Sequence, residues 1–205
     1  MASYDYDEKA ASHADDVANR IDTGGAYVGT FKRAEAVVSA QKGTEGITFE
    51  FEAPGGGSVE ATLWTRKSDG SAIFGDNLVQ AIRTILNVRG KMESSPGQVM
   101  KWDEAAGKRM PADGEVFTQL IGKRIGVVFQ KELYTSNSGK DSYRMNMYGV
   151  FDADSKLTAS EIKEGVKEPK KLERMINSVQ KNKDNRTAAT AEPAQPSVGA
   201  VAGSY

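Results

Sequence analysis

The sequence predicts a mainly β protein in which one helix interrupts a series of strands. Between residues 26 and 151, five segments alternate apolar and polar residues, a pattern typical of half-buried strands. The segment between the third and fourth strands instead carries its apolar residues at helical spacing. Strand–strand–strand–helix–strand–strand is the order of the OB-fold. We therefore expect a five-stranded OB-fold barrel with one helix between strands 3 and 4.

The first three strands are separated by glycine-containing turns. They are predicted over residues 26–38, 47–53 and 58–66. The alternation in the first strand fails near Gly29, which indicates a bulge or a sharp bend. In the third strand Val59, Ala61 and Leu63 are predicted to face the core, so Trp64 and Arg66 share its exposed face.

The helix is predicted from Asp76 to Arg89, with Asp76 or Asn77 as its N-cap and Gly90 ending it. Residues 91–115 are rich in proline and glycine, and we expect them to form a long loop. The last two strands are predicted over residues 123–134 and 141–151.

The chain divides into four segments by composition. They are an acidic flexible arm (1–24), the OB-fold domain (25–155), a basic amphipathic helical extension (156–183) and a disordered tail (184–205). The extension carries its helix between Glu168 and Lys181, and the tail is dominated by small residues and proline, which cannot form a core.

The residue types argue against catalysis. The chain has no cysteine and a single histidine, His13, so thiolate and multi-histidine metal sites are excluded. The three glycines of residues 55–57 join two strands rather than opening a helix, which favours a tight turn over a phosphate loop. Asp152 and Asp154 lack the later residues of a calcium loop and indicate a solvated turn. We expect no enzymatic activity, no cofactor and no metal.

Charge gives a weak indication of a partner. The formal net charge is −1, and the central residues 26–151 carry 16 basic and 14 acidic side chains. Nucleic-acid-binding domains usually show a larger basic excess, although one groove can be basic on a neutral protein. No apolar run is long enough to cross a bilayer, and the first residues do not resemble a signal peptide, so we expect a soluble intracellular protein.

Aromatic and basic side chains on the strands suggest a groove for single-stranded DNA. The predicted site residues are Lys42, Trp64, Arg66, Lys131, Tyr134, Lys140, Arg144 and Tyr148. Each has an alternative explanation: residues 91–115 could cover Trp64, Tyr148 could pack at an edge, and the lysines could be ordinary surface. Three glutamates share the face of Trp64 and would repel phosphate: Glu50, Glu52 and Glu60.

Several segments resemble proteins encoded by tailed bacteriophages. They are residues 25–29, 34–35, 42–47, 49–51, 63–65, 120–123 and 127–132. Over about residues 25–160 the chain is similar to the OB-fold single-stranded DNA-binding proteins of phage replication and recombination. The resemblance implies non-specific binding of single-stranded DNA without catalysis, in the cytoplasm of the infected bacterial host. It also implies contacts with replication or recombination proteins through the tails and no membrane partner, and it is compatible with an oligomer.

The chain departs from that family in its C-terminal tail. Such proteins commonly end in an acidic tail with a terminal aromatic residue, whereas this tail ends in Tyr205 and its only acids are Asp184, at its start, and Glu192. The acidic, tyrosine-bearing stretch is residues 4–8, and we hypothesise that this arm recruits partners or competes with DNA. The alternative function is a protein-interaction module, in which an OB barrel presents the helix at 168–182 and the tails to a phage or host partner.

Overall fold

One mostly antiparallel sheet organises the chain. The computed structural model describes residues 5–6, 20–103, 105–136 and 138–186. In these residues eight strands form a sheet that does not close into a barrel. The strands are β1 (Gly25–Val38), β2 (Glu45–Glu52), β3 (Ser58–Arg66), β4 (Ser95–Asp103), β5 (Lys108–Val116), β6 (Arg124–Thr135), β7 (Asp141–Phe151) and β8 (Lys183–Asn185). The mainly β class predicted from the sequence is confirmed.

Three α-helices accompany the sheet in the described part of the chain. They are α1 (Phe74–Ile85), α2 (Ala159–Glu164) and α3 (Lys171–Val179). Helix α1 follows β3 as predicted, but its N-cap is Ile73 and no side chain caps it, so the prediction of Asp76 or Asn77 was wrong. The backbone N–H of Ile73 donates to the carbonyl of Thr65, and this return to β3 starts the helix early. The helix ends at Ile85, well before Gly90.

Strand β1 is the longest strand and joins two parts of the sheet. Its first half pairs with β6 and its second half with β2. The register with β2 shifts between Phe31 and Arg33, rather than at Gly29 where the sequence predicts a bulge or bend. Gly29 is needed for close packing instead, because a Cβ there would lie 2.1 Å from the carbonyl oxygen of Glu52.

The core lies between the sheet and α1. Phe31, Phe49, Phe51 and Phe129 are fully buried, and neighbouring rings in this group have centroids 4.6–6.0 Å apart. Ile82 of α1 is also fully buried against this cluster. Burying each of these side chains contributes about 1.5–3 kcal/mol. The alternation that predicted the strands therefore marks the core correctly.

Strands β4 and β5 form a hairpin where the sequence predicts a loop over residues 91–115. They pair along their whole length, from Ser95 opposite Val116 to Asp103 opposite Lys108. Most of β5 is exposed, so it lacks the apolar alternation by which half-buried strands are recognised. The prediction of five strands is corrected to eight, of which this hairpin supplies two.

The C-terminal extension contains more structure than the single predicted helix. Helix α2 begins with a capping box, in which Thr158 and Glu161 each accept from the other's backbone N–H. The sequence carries this Thr-x-x-Glu signature. Strand β8 then runs parallel to β6 beside Glu132–Tyr134, so the predicted disordered tail cannot begin at residue 184. The rest of that tail and most of the acidic arm lie outside the described residues.

Candidate nucleic-acid interface

The predicted site residues divide among four surfaces. One group lies at the adjoining ends of β1, β2 and β3: Lys42, Trp64 and Arg66. A second lies at or near the tip of the hairpin formed by β6 and β7: Tyr134, Lys140 and Arg144. Lys131 is near the same tip but on the other face of β6. Tyr148 stands apart, in the part of β7 that faces α1 and α2.

The face of β1, β2 and β3 that points away from the core will be called the outer face. It consists of three cross-strand rows: Arg33–Glu50–Glu60, Glu35–Thr48–Thr62 and Val37–Gly46–Trp64. The middle row is tied by a 2.9 Å hydrogen bond between the two threonine hydroxyls. The outer face thus changes along the strands from charged, through polar, to apolar and aromatic.

Trp64 forms an aromatic platform at the apolar end of the outer face. A Cβ on the neighbouring Gly46 would lie 2.9 Å from Cε3 of the Trp64 indole, so the absence of a side chain at Gly46 makes room for the ring. The Trp64 side chain is 40% exposed. Trp64 is therefore not fully covered, and part of its surface is accessible to a stacking partner.

Lys42 and Arg66 lie at the same end of the sheet as the indole. Arg66 is opposite Glu45, where β2 begins, and Lys42 is in the preceding turn. A Cβ on Gly43 would be 3.2 Å from Cβ of Ser68, so this turn packs against the segment that follows β3. Both cationic side chains are exposed. They are available to bind an anion near the aromatic platform.

The β4–β5 hairpin reaches the charged end of the outer face. Lys101 Nζ lies 2.6 Å from Glu35 Oε1, and Arg109 Nη1 lies 2.8 Å from Glu50 Oε1. Glu35 is only 3% exposed, and a buried carboxylate is stable only with partners. The hairpin therefore supplies cations that the sheet needs, which explains how glutamates are accommodated there.

Arg33 is the buried cation at the centre of this network. It is 7% exposed, and its guanidinium pairs with Glu60 and lies 3.3 Å from Glu35 Oε2. The same group donates to the carbonyl of Met100 on the hairpin, at 3.4 Å. The positions of Glu50 and Glu60 were predicted correctly, but the sequence did not indicate that Arg33 would lie between their side chains and the hairpin.

Tyr134 and Arg144 lie together near the tip of the β6–β7 hairpin. The Arg144 guanidinium carbon is 5.5 Å from the Tyr134 ring centroid, within the range of a cation–π interaction. Arg144 also pairs with Glu132 at 2.5 Å, yet its side chain remains 59% exposed. Lys140 is exposed in the turn. Three of the predicted site residues, Tyr134, Lys140 and Arg144, therefore lie near one another here.

Lys131 lies on the opposite face of β6 from Tyr134 and Arg144. Alternate residues of a strand point to opposite faces, and Lys131 is an odd number of positions from Tyr134. Its Nζ is 4.2 Å from the centroid of the Tyr143 ring, and the Arg20 guanidinium carbon is 5.3 Å from the same ring. Lys131 therefore belongs to a separate cation–aromatic cluster.

Tyr148 lines a groove of about 410 Å³ between β7 and the helices. Its neighbours there include Phe74 and Leu78 of α1 and Met175 of α3. Tyr148 is 40% exposed, so it is neither a buried core residue nor part of the outer face. The structure does not bring Tyr148 together with Trp64 on one surface.

Strand β8 and the residue after it lie near the tip of the β6–β7 hairpin, and they add side chains that the sequence prediction missed. Lys183 and Asn185 both approach the carboxylate of Glu132, at 3.5 Å and 2.8 Å, and Arg186 pairs with Asp141 at 3.2 Å. Glu132 is 3% exposed. Burial raises the pKa of its carboxyl, but hydrogen bonds and positive charges, first from Arg144, outweigh that effect and lower the pKa. No periodic signal marks a three-residue strand, so only the fold reveals these cations.

The described residues contain no group of three or more His, Cys, Asp or Glu side chains that could hold a metal ion. Asp152 Oδ1 accepts from the backbone N–H of Asp154 and of Ser155, at 3.2 and 2.7 Å, which confirms the predicted turn. None of the helices in these ranges is both long enough and apolar enough to cross a membrane.

Comparisons with known proteins do not assign the chain to a family. No protein-family model matches it, and a search of curated proteins finds no significant match. Function is therefore inferred from the geometry of these surfaces, in particular from the exposed indole and the cations at the same end of the sheet.

Proposed function

We propose that this protein binds single-stranded DNA without sequence specificity and without catalysis. The observation that carries the proposal is the half-exposed ring of Trp64, seated over Gly46 on the outer face. Proteins that hold single strands combine aromatic platforms with cations that follow the phosphates. Lys42 and Arg66 supply such cations at the same end of the sheet. In this proposal the protein serves phage replication or recombination in the cytoplasm of an infected bacterium.

The strand connections support an OB-fold as the framework for this activity. β1 pairs with both β2 and β6, β6 pairs with β7, and α1 follows β3. In this assignment the β4–β5 hairpin and β8 are additions to a five-stranded core. Among the described residues, β3 and β7 share no backbone pairing, so the proposed barrel is open between them. OB-folds are partly open barrels that bind oligonucleotides.

The tip of the β6–β7 hairpin offers a second contact with the strand. Tyr134 and Arg144 lie there with Lys140, and β8 adds Lys183 and Arg186. Arg144 keeps most of its surface exposed while it pairs with Glu132. A guanidinium has five N–H donors, so Arg144 can bind a phosphate as well as the carboxylate. We propose that this cluster contacts the backbone of the same strand.

Intrinsic tryptophan fluorescence during titration with oligo(dT), at low and at high salt, tests the proposal. Quenching that weakens as salt rises is the expected result, because stacking changes the indole environment and phosphate binding is screened. The variants Trp64→Phe and Trp102→Phe form a matched pair that assigns the signal. The absence of both quenching and a mobility shift with wild-type protein would refute DNA binding.

A protein-interaction module is the second candidate, and one observation favours it. The charged rows of the outer face are neutralised internally, because Glu35 and Glu50 pair with Lys101 and Arg109 of the hairpin. A face that satisfies its own charges has less attraction for phosphate. If oligo(dT) does not bind, affinity capture with the full chain should identify a protein partner instead.

We propose that replication or recombination proteins are contacted through the tails. The acidic stretch at residues 4–8 lies mostly outside the described residues, and its charge alone motivates this role. Deleting residues 2–9 should abolish partner binding or raise DNA affinity. Unchanged DNA affinity together with unchanged partner binding would refute the hypothesis.

A further inference from the structure

We infer that a single strand runs along the outer face from Trp64 and passes beneath the β4–β5 hairpin, where Lys101 and Arg109 bind its phosphates. This inference rests on the proposed function and adds a path and two contacts to it. Trp64 and Glu60 lie on the same face of β3 in the first and last rows of the path. They are four positions apart, which is about 13 Å at 3.3–3.4 Å per residue.

Few backbone pairs join the hairpin to the sheet. In the described residues its backbone pairs with β1 at two register positions, Glu35 opposite Val116 and Ala36 opposite Glu115. Beyond this base, the ion pairs of Lys101 and Arg109 and the hydrogen bond from Arg33 to the carbonyl of Met100 link it to the sheet through long side chains. Such side chains can change partners without a change in the fold of the hairpin.

A cavity of about 430 Å³ lies between the hairpin and the sheet. Its lining includes Lys32, Arg33 and Arg109 as well as Glu50 and Glu52. This volume is within the usual range for ligand sites, about 300–1,000 Å³. The cavity therefore has both the space and the basic side chains to receive part of a nucleotide.

One donor in the cavity lining is unsatisfied. The Nε atom of Arg33 is buried and has no hydrogen-bond partner. Glu50 Oε2 lies 3.8 Å from it, which is too far for a hydrogen bond. A buried donor without an acceptor is unfavourable, and its uncompensated positive charge beside the cavity favours an anion there.

The carboxylates of the sheet hold the hairpin cations when no strand is bound. Glu50 and Glu60 are directly opposite on adjacent strands, and like charges in that position are destabilising. Arg33 lies beside both of them. When Arg109 turns from Glu50 to a phosphate, Arg33 remains beside both carboxylates and limits their repulsion. Each carboxylate therefore keeps a cationic neighbour during the exchange at Arg109.

The test is the salt dependence of oligo(dT) binding by the double variant Lys101→Gln/Arg109→Gln. Each phosphate contact with a single strand contributes about −0.7 to the slope of log K against log salt, so losing two should reduce the slope by about 1.4. The control is Lys91→Gln/Lys167→Gln, which removes two exposed cations elsewhere. Thermal melting of both variants establishes that they fold.

A second variant tests whether Arg109 exchanges Glu50 for a phosphate, and it leaves the proposed DNA contacts in place. Glu50→Gln should raise the affinity for oligo(dT), because Arg109 is then free, whereas Glu164→Gln on α2 removes the same charge elsewhere and should not. A reduced slope for the double variant, or an affinity gain confined to Glu50→Gln, supports the path. If wild-type protein binds oligo(dT) but neither variant differs from its control, the path is wrong and the proposed function stands. If wild-type protein does not bind, both are wrong.

Discussion

At the scale of single residues, Trp64 and Tyr148 are both 40% exposed, but we expect only Trp64 to stack on bases. Trp64 lies on the outer face, whereas Tyr148 lines the groove beside α1 and α2. We predict that Trp64→Ala lowers the affinity for oligo(dT) by about 1–3 kcal/mol, the usual contribution of one stacked base. Tyr148→Ala should leave it near the wild-type value. Fluorescence anisotropy of a labelled oligonucleotide measures both affinities. Equal losses of affinity in the two variants would contradict the assignment of stacking to Trp64.

Glu161 is a residue whose ionisation stabilises the fold. Its side chain is 1% exposed. Burial raises the pKa of its carboxyl, but hydrogen bonds from Thr158, Lys170 and Lys171 outweigh this and lower the pKa from 4.5 to about 2. Because the pKa is lower in the folded state, the stabilisation is complete above about pH 4.5 and is lost as the pH falls towards 2.

We predict that Glu161→Gln lowers the free energy of unfolding by about 2–3 kcal/mol at neutral pH. The difference in free energy of unfolding between the variant and the wild type should be smaller at pH 3, because protonation of Glu161 removes part of the wild-type stabilisation there. Urea unfolding at the two pH values measures this. Glu164→Gln, at the exposed end of the same helix, is the control and should have little effect. A difference that does not depend on pH would exclude ionisation as the cause.

At the scale of elements, β8 is held by a carboxylate rather than by apolar packing. Its three residues are exposed, and two of them reach Glu132, which would otherwise depend on Arg144 and Asn146. Removing partners from a buried carboxylate is costly, because the remaining charge is less well compensated. The short strand therefore contributes to stability through its side chains.

We predict that ending the chain after Gln180 lowers the free energy of unfolding by about 1–3 kcal/mol, because Glu132 loses hydrogen bonds from β8. It should also weaken oligo(dT) binding, since Lys183 and Arg186 leave the tip of the β6–β7 hairpin. A chain that ends after Arg186 retains β8 and is the matched control. Urea unfolding and the DNA titration are compared for both chains. Equal behaviour of the two would show that β8 has neither role.

At the scale of the whole molecule, net charge is a poor guide to the proposed activity. The formal net charge is −1, yet cations gather at the end of the sheet near Trp64 and at the tip of the β6–β7 hairpin. If about four of them contact phosphates, the slope of log K against log salt should be about −2.8. Titrations with oligo(dT) over a range of salt concentrations measure it. A slope near zero would favour the protein-interaction module.

Local patterns were sufficient to predict much of the sheet. The alternation in residues 58–66 and 141–151 matches β3 and β7, and the helical spacing after β3 marks α1. These predictions succeed because the burial of one face imposes a period on neighbouring residues. The same reasoning missed the β4–β5 hairpin. Its strands pair mainly with each other and are largely exposed, so residues 91–115 show no burial pattern.

The alternation of apolar and polar residues was enough to predict most of the core strands and to place Trp64 and Arg66 on an exposed face. The positions of Lys101 and Arg109 over Glu35 and Glu50, and of β8 beside Glu132, became evident from the folded chain alone. These two kinds of feature differ in range. Periodic burial acts between residues two to four positions apart, whereas an ion pair between distant segments depends on how the whole chain is connected.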